Sequence, residues 1–167
     1  MREDERFCPK CGHQLIEKEL VEEGIVPFCE NCKEYRFPFF SVAVSMIVFS
    51  PDKKEILLIR QYGRDKNILV AGYVNIKENA EHCLERELME EVGLKASSYE
   101  FNKSLYFEKS NTLILNFAVV ADSKDVKANH EVDSYQWFTI KDAVKEVVRP
   151  SLACQFIDEY IQKNKLL

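Results

Sequence analysis

Two Cys-x-x-Cys pairs restrict how the first part of the chain can fold. Cys8-Pro9-Lys10-Cys11 and Cys29-Glu30-Asn31-Cys32 are separated by 17 residues, Gly12 to Phe28. The stretch up to Pro38 has few aliphatic residues and cannot build a core without a staple. Tetrahedral zinc takes four soft donors, and two thiolates from each turn close such a site with no coordination position left open. The spacing therefore predicts a small zinc ribbon over residues 1–38, with a structural Zn²⁺ on Cys8, Cys11, Cys29 and Cys32. His13 reads as a solvated loop residue. Cys83 and Cys154 stand alone and read as small buried hydrophobes.

After Pro38 the pattern changes to that of a core-forming domain, residues 39–167. Phe39–Phe49 and Glu55–Gln61 read as buried strands joined by the turn Ser50-Pro51-Asp52. Ile68–Ile76 is a further extended stretch. Asn79 is a candidate N-cap for a helix over Ala80–Val92, with Leu84, Leu88 and Val92 on one stripe and Gly93 as its stop. Strands follow at Tyr99–Glu108, Thr112–Ala121 and Ser134–Phe138. Helices follow at Ile140–Val148 and, after Pro150, Leu152–Lys163. These elements sum to an α+β fold, an α/β/α sandwich with a mixed sheet.

Composition narrows the function. Among 167 residues 46% are hydrophobic and 31% charged, the mix of a soluble globular protein. No apolar run is long enough to span a membrane, and Met1–Arg6 is too charged for a signal peptide, so a cytoplasmic location is expected. A formal net charge of −5 argues against a general nucleic-acid binder. It does not exclude a nucleotide substrate, because a bound divalent cation can supply positive charge.

The helix over Ala80–Val92 carries an unusual charge pattern. Glu87, Glu90 and Glu91 stand at i, i+3 and i+4 and share one face. They repel one another and lie near the helix C-terminus, where the macrodipole disfavours negative charge. A divalent cation would turn both penalties into attraction. Hard carboxylate oxygens select Mg²⁺ or Mn²⁺. Arg86 is placed to pair with Glu90 at i+4. The alternative reading is a solvated acidic face.

The spacing settles on more than a charge pattern. Gly72, five residues, Glu78, seven residues, then Arg86-Glu87-Leu88-Met89-Glu90-Glu91-Val92-Gly93-Leu94 fits G-x5-E-x7-R-E-U-x-E-E-x-G-U at every fixed position, U being a bulky aliphatic residue. The segment thus resembles the Nudix box. Val70-Ala71-Gly72-Tyr73-Val74, the four-cysteine ribbon and Glu131-Val132-Asp133-Ser134-Tyr135-Gln136-Trp137-Phe138 look like the NADH pyrophosphatase branch of that family. The resemblance covers about Phe7 to Phe138. It implies a Nudix-type sandwich that cleaves a phosphoanhydride bond in a nucleoside diphosphate compound. It also implies Mg²⁺ or Mn²⁺ on Glu87, Glu90 and Glu91, with the Ala71 carbonyl as a further ligand. Glu131 would be ligand or base, Arg86 would orient the glutamates, and Glu78 would support the site through water. Glu87 or a neighbour would act as base toward the attacking water. Members of this branch are often dimers, which implies a homodimer.

The resemblance stops at Ser104–Ser110. There the branch carries a Ser-Gln-Pro-Trp-Pro-Phe-Pro type segment, whereas this chain has Ser104-Leu105-Tyr106-Phe107-Glu108-Lys109-Ser110. The prolines are absent and Lys109 replaces an aromatic, which changes a pocket wall. Tyr73, Tyr106 and Phe107 remain as candidates to bind substrate by stacking, with Trp137 a further aromatic. NAD(H) and ADP-ribose, then FAD and NAD-capped RNA ends, are the candidate substrates. The rival reading is a nucleotide-sensing or adaptor protein that binds with little turnover. A nucleic-acid-binding ribbon, through Lys10, Lys18, Lys33 and Arg36, is a third.

Overall fold

The structure, a computed structural model, describes residues 6–167. Most of the charged opening run Met1–Arg6 lies outside the described residues. The chain divides into two compact units, Met1–Phe40 and Ser41–Leu167.

In the first unit β1 (Ile16–Leu20), β2 (Gly24–Cys29) and β3 (Glu34–Tyr35) form an antiparallel three-stranded sheet. The same turn follows each cysteine pair. Gly12 N–H donates to the Cys8 carbonyl and Lys33 N–H to that of Cys29, both at 2.8 Å. Both residues take positive φ, +70° at Gly12 and +58° at Lys33. Its buried apolar residues are Cys8, Leu15, Val26, Phe28 and Cys29, with Cys32 packed against the cysteine cluster. So little apolar burial cannot offset the entropy of ordering about 35 residues, and a metal staple is the expected remedy.

The second unit is built on β4 (Ser41–Phe49). It pairs in parallel with β8 (Thr112–Ala121) over its whole length. On its other edge it meets β6 (Val70–Tyr73) at Ala43–Met46 and β5 (Glu55–Gln61) at Val48–Phe49. With β7 (Ala96–Phe107) outside β8 and β9 (Val132–Thr139) outside β5, the sheet has six strands of mixed direction. Helix α1 (Ala80–Val92) covers one face; α2 (Ile140–Glu146) and α3 (Leu152–Asn164) cover the other.

Side-chain alternation on β4 explains the sandwich. Val44, Met46 and Val48 pack with Leu84, Leu88 and Val92 of α1, whereas Ile47 and Phe49 pack with Phe156, Ile157 and Ile161 of α3. All of these are buried. A strand buried on both faces reads as an unbroken apolar run, as this one does.

The ends of α1 are fixed as its sequence requires. The Asn79 side chain accepts from His82 N–H at 2.8 Å. Gly93 adopts φ +68°, and its N–H reaches the Leu88 and Met89 carbonyls. Loop 122–131 takes the last two carbonyls of the helix: Lys127 N–H donates to Val92 O at 2.8 Å and Asn129 N–H to Glu91 O at 3.0 Å. The loop bearing Glu131 is thereby docked on the end of the helix bearing the other glutamates.

Several boundaries differ from the sequence reading. The first strand begins at Ser41, where its partner Thr112 begins, so Phe39 and Phe40 lie outside it. The extended stretch Ile68–Ile76 is a strand only over Val70–Tyr73, and Ile76 points into solvent. The strand expected at Tyr99–Glu108 runs Ala96–Phe107, and a 3₁₀ turn, Glu108–Ser110, follows. The last strand extends to Val132–Thr139, the penultimate helix ends at Glu146, and the last helix ends at Asn164.

Gly93→Ala tests the docked helix end. A Cβ there would sit 2.7 Å from the Lys127 Cβ, in a left-handed backbone conformation. We expect a loss of about 1–3 kcal/mol in urea unfolding. A wild-type midpoint would contradict this role.

Candidate active site

Arg86 is the centre of the acidic site. Its Nε donates to Glu78 Oε1 (2.8 Å), and Nη2 donates to Glu78 Oε2 (2.9 Å) and the Tyr73 carbonyl (3.0 Å). Nη1 donates to Glu87 Oε1 (2.6 Å) and Glu90 Oε2 (3.0 Å). These contacts match the five donors of a guanidinium. Glu78 also accepts from Asn75 N–H at 2.8 Å. With Arg86 first and Asn75 second among the causes, its carboxyl is held at about 2. The sequence reading routed Glu78 through water. Instead it grips Arg86 directly, because the loop from Tyr73 to Asn79 folds back on the helix.

The three helix glutamates occupy different environments. Glu90 is about half exposed (57%), Glu87 is largely buried (13%), and Glu91 is buried at 4%. The three share one face, as expected, but only Glu90 is solvated; Glu87 and Glu91 are withdrawn from water. Burial pushes the Glu87 carboxyl up, against the opposing pull of Arg86. Burial raises Glu91 to about 7; Gln61 opposes this, and the charges of Glu87 and Glu131 add to it. Glu91 Oε1 accepts from Gln61 Nε2 at 2.9 Å. Its Oε2 is buried with no hydrogen-bond partner among the described residues. A buried carboxylate oxygen left without a donor is costly unless a cation meets it.

Gly72 has a steric reason. A Cβ at this position would lie 1.9 Å from the Glu87 Cδ, so only glycine lets the carboxylate sit against β6. Glu87, Glu90, Glu91, Glu131, Ala71 and Gly72 all line one cavity of about 600 Å³. Tyr73 and Phe107 are in its wall, as are Gln61, Tyr62 and Asn129. Tyr106 is not among the lining residues; its hydroxyl pairs with the Asn111 side chain. Trp137 packs against the α1 side of the core, with Nε1 donating to the Lys124 carbonyl at 3.3 Å. The carboxylates in the cavity wall offer hard oxygen donors, the kind that Mg²⁺ or Mn²⁺ takes.

Gln61 and Tyr62 were missed in the sequence. Gln61 had a signal: it continues the Leu57 and Ile59 register that faces α1, so a polar residue there needs a buried partner. Tyr62 had none, because its placement depends on a backbone irregularity.

In the first unit Cys8, Cys11, Cys29 and Cys32 bring their sulfurs within 4.8 Å of one another. The Cys8–Cys32 and Cys11–Cys29 separations are 3.9 and 3.5 Å. Tetrahedral zinc with bonds of about 2.3 Å places its sulfurs roughly 3.8 Å apart, so the set fits. Against the upward push of burial, the Arg36 guanidinium, 3.2 Å from the sulfur through Nε, holds the Cys8 thiol at about 6. Hydrogen bonding to Cys11, then burial, pushes Cys32 up to about 12. Four adjoining thiols cannot all ionise without a cation among them. Cys83 and Cys154 are buried as expected, although Cys83 also touches Arg86, with Nη2 at 3.5 Å from its sulfur.

The NUDIX domain family model matches residues 39–157. The chain belongs to the Nudix family. Among curated relatives it is 29% identical over 162 residues to an NAD-capped RNA hydrolase NudC of Pseudomonas aeruginosa, covering 95% of this chain and 56% of the relative. It is 24% identical over 158 residues to the protein of the same name from Vibrio cholerae, covering 92% of this chain and 56% of the relative. The chain thus spans little more than half the length of these relatives. In fold it is similar to a Nudix hydrolase from Nitrosomonas europaea, with a TM-score of 0.68 and 17% identity over 96% of this chain and 93% of the other. It is also similar to the Nudix domain of Shewanella oneidensis NrtR complexed with ADP ribose, with a TM-score of 0.63 and 13% identity over 84% and 94% of the two chains.

The orphan oxygen of Glu91 has a measurable cost. Its folded-state value near 7 lies above the ordinary 4.5. Between these values the folded state keeps a proton that the unfolded chain has lost, so stability falls as pH rises. In protein carrying zinc but no other divalent ion, Glu91→Gln should raise stability at pH 8 by on the order of 1–3 kcal/mol. The gain should vanish below pH 4.5. Thermal unfolding at the two pH values checks it; a lowered midpoint at pH 8 would contradict it.

Proposed function

We propose that this chain hydrolyses a phosphoanhydride bond in a nucleoside diphosphate linked to a second moiety, NAD(H) and ADP-ribose being the first candidates. One observation carries the reading. Glu91, whose Oε2 is buried without a donor among the described residues, lines a cavity with Glu87, Glu90, Glu131, Ala71 and two aromatic walls. A pocket of this size takes a nucleotide. Its glutamates would repel the phosphates unless a cation stood between them.

Glu87, Glu90 and Glu91 would hold Mg²⁺ or Mn²⁺, with the Ala71 carbonyl and Glu131 as further ligands. Such an ion, when bound, neutralises bridging phosphate oxygens and lowers the pKa of water. The protein's own contribution is placement. Arg86 fixes Glu87 and Glu90 from one side while Gln61 fixes Glu91 from the other. Tyr73 and Phe107 offer ring faces to a base, and the Glu91 or Glu87 carboxylate can orient or accept the proton of an attacking water.

The remaining features follow in the same reading. The ribbon over residues 1–38 holds a structural Zn²⁺, which the sulfur spacings support, and residues 39–167 form the hydrolase domain. The names of the curated relatives add an NAD-capped RNA end as a substrate for test. A cytoplasmic location is proposed; no helix among the described residues is long and apolar enough to cross a membrane. A homodimer is proposed from the family resemblance.

The test is product analysis with Mg²⁺ or Mn²⁺ on NADH, NAD⁺, ADP-ribose, FAD, NAD-capped RNA and nucleoside triphosphates. AMP from NADH, NAD⁺ or ADP-ribose is expected, with turnover reduced at least about 100-fold in Glu90→Gln. Tight binding without turnover of any compound would replace the hydrolase with a nucleotide sensor.

A further inference from the structure

We propose that Tyr62 is a positioning residue that holds Glu131 in the acidic cavity, an inference that rests on the reading of Glu131 as a metal ligand. The end of β5 carries the evidence. In a regular strand, consecutive side chains point to opposite faces. Here β5 ends at Gln61, where its pairing with β9 passes over Asp133, the extra residue of a bulge on β9. Gln61 turns inward to Glu91, and the very next residue also reaches the cavity: the Tyr62 hydroxyl donates to Glu131 Oε2 at 3.2 Å. Two neighbours thus grip two carboxylates of one site. The bulge places its extra residue two positions after Glu131, and the turn that follows β5 aims Tyr62.

The backbone conformation that permits this is costly. Tyr62 has φ +58°, a region that a bulky L residue rarely enters. Burial does not explain it, because Tyr62 is 66% exposed. The turn is held by the protein around it. Gly63, itself at φ +66°, donates its N–H to Asp133 Oδ2 at 2.6 Å, and Arg64 N–H donates to the Gln61 carbonyl at 3.2 Å. Asp133 stands two residues after Glu131, so the same short segment fixes the turn and receives its side chain. From the other direction Glu131 N–H donates to Asn129 Oδ1 at 2.9 Å, and Asn129 N–H to the helix carbonyl of Glu91. The Glu131 backbone is therefore located by α1, while its carboxylate, on a loop, is located by the Tyr62 hydroxyl. One carboxylate oxygen is held by the phenol, and the other stays available to a cation.

The test is Mn²⁺ affinity, read from the free-ion signal in electron paramagnetic resonance, on zinc-loaded full chain. Tyr62→Phe keeps the ring and the backbone and removes only the donor. It should weaken Mn²⁺ binding about 10-fold, as loss of an outer hydrogen bond to a ligand does. Glu131→Gln should weaken it at least as much, and the double variant should bind no more weakly than Glu131→Gln alone. Wild-type affinity in Tyr62→Phe, or losses that multiply in the double variant, would overturn the proposal. If Glu131→Gln binds as wild type while Glu90→Gln does not, the proposal falls and the helix metal site stands. If wild type itself binds no Mn²⁺, the proposed function fails together with it.

Discussion

Every N–H of the Arg86 guanidinium meets an acceptor, and the site is built around that fact. Three carboxylates and a backbone carbonyl converge on one planar cation. A lysine could offer charge but not a fixed fork, so the arrangement requires arginine. The fork joins two segments that would otherwise repel or drift: the loop carrying Glu78 and the helix carrying Glu87 and Glu90. One guanidinium cannot neutralise three glutamates, and Glu91 and Glu131 lie beyond its reach. The surplus negative charge is therefore organised rather than cancelled. That distinction separates a cation site from an acidic surface, where charges would spread into water.

The sheet supplies the other half of the geometry. β6 occupies the edge of β4 that β5 leaves free, which brings Ala71 and Gly72 under the last turns of α1. The Glu87 carboxylate can lie against β6 because Gly72 has no Cβ to strike it. The apolar stripe of Leu84, Leu88 and Val92 anchors the helix on the same sheet face. Packing and chemistry are thus registered to each other, since residues one position apart serve the core and the cavity. At the C-terminal end of α1, loop 122–131 satisfies the helix carbonyls and delivers Glu131 to the same cavity. Stability at the helix end and placement of the fifth carboxylate come from one set of hydrogen bonds.

Much of this was legible in residue order. The helix from Asn79 to Gly93 carries its cap, its apolar stripe and its stop in the sequence, and all three occur as read. The cysteine spacing pointed to a four-sulfur cluster because each pair lies on one turn. The unbroken apolar run of β4 marked a strand covered on both faces. What stayed hidden depends on long-range placement. Glu78 lies eight residues before Arg86, yet their contact needs the loop after Tyr73 to turn back. The pairing of Glu91 with Gln61 joins the helix to a strand 30 residues away. Tyr62 enters the site through a turn at positive φ, which a tyrosine does not signal. Tyr106 seemed equivalent to Phe107, but only Phe107 reaches the cavity wall, since strand neighbours point apart.

The most direct measurement is calorimetric titration of Mg²⁺ or Mn²⁺ into zinc-loaded protein carrying Arg86→Lys. This variant keeps the positive charge and removes the fork. If Arg86 organises the carboxylates for a cation, affinity should fall by about 10- to 100-fold while the fold, followed by circular dichroism, is retained. Unchanged affinity in a folded Arg86→Lys protein would show that the glutamates find their positions without Arg86, and would contradict the account.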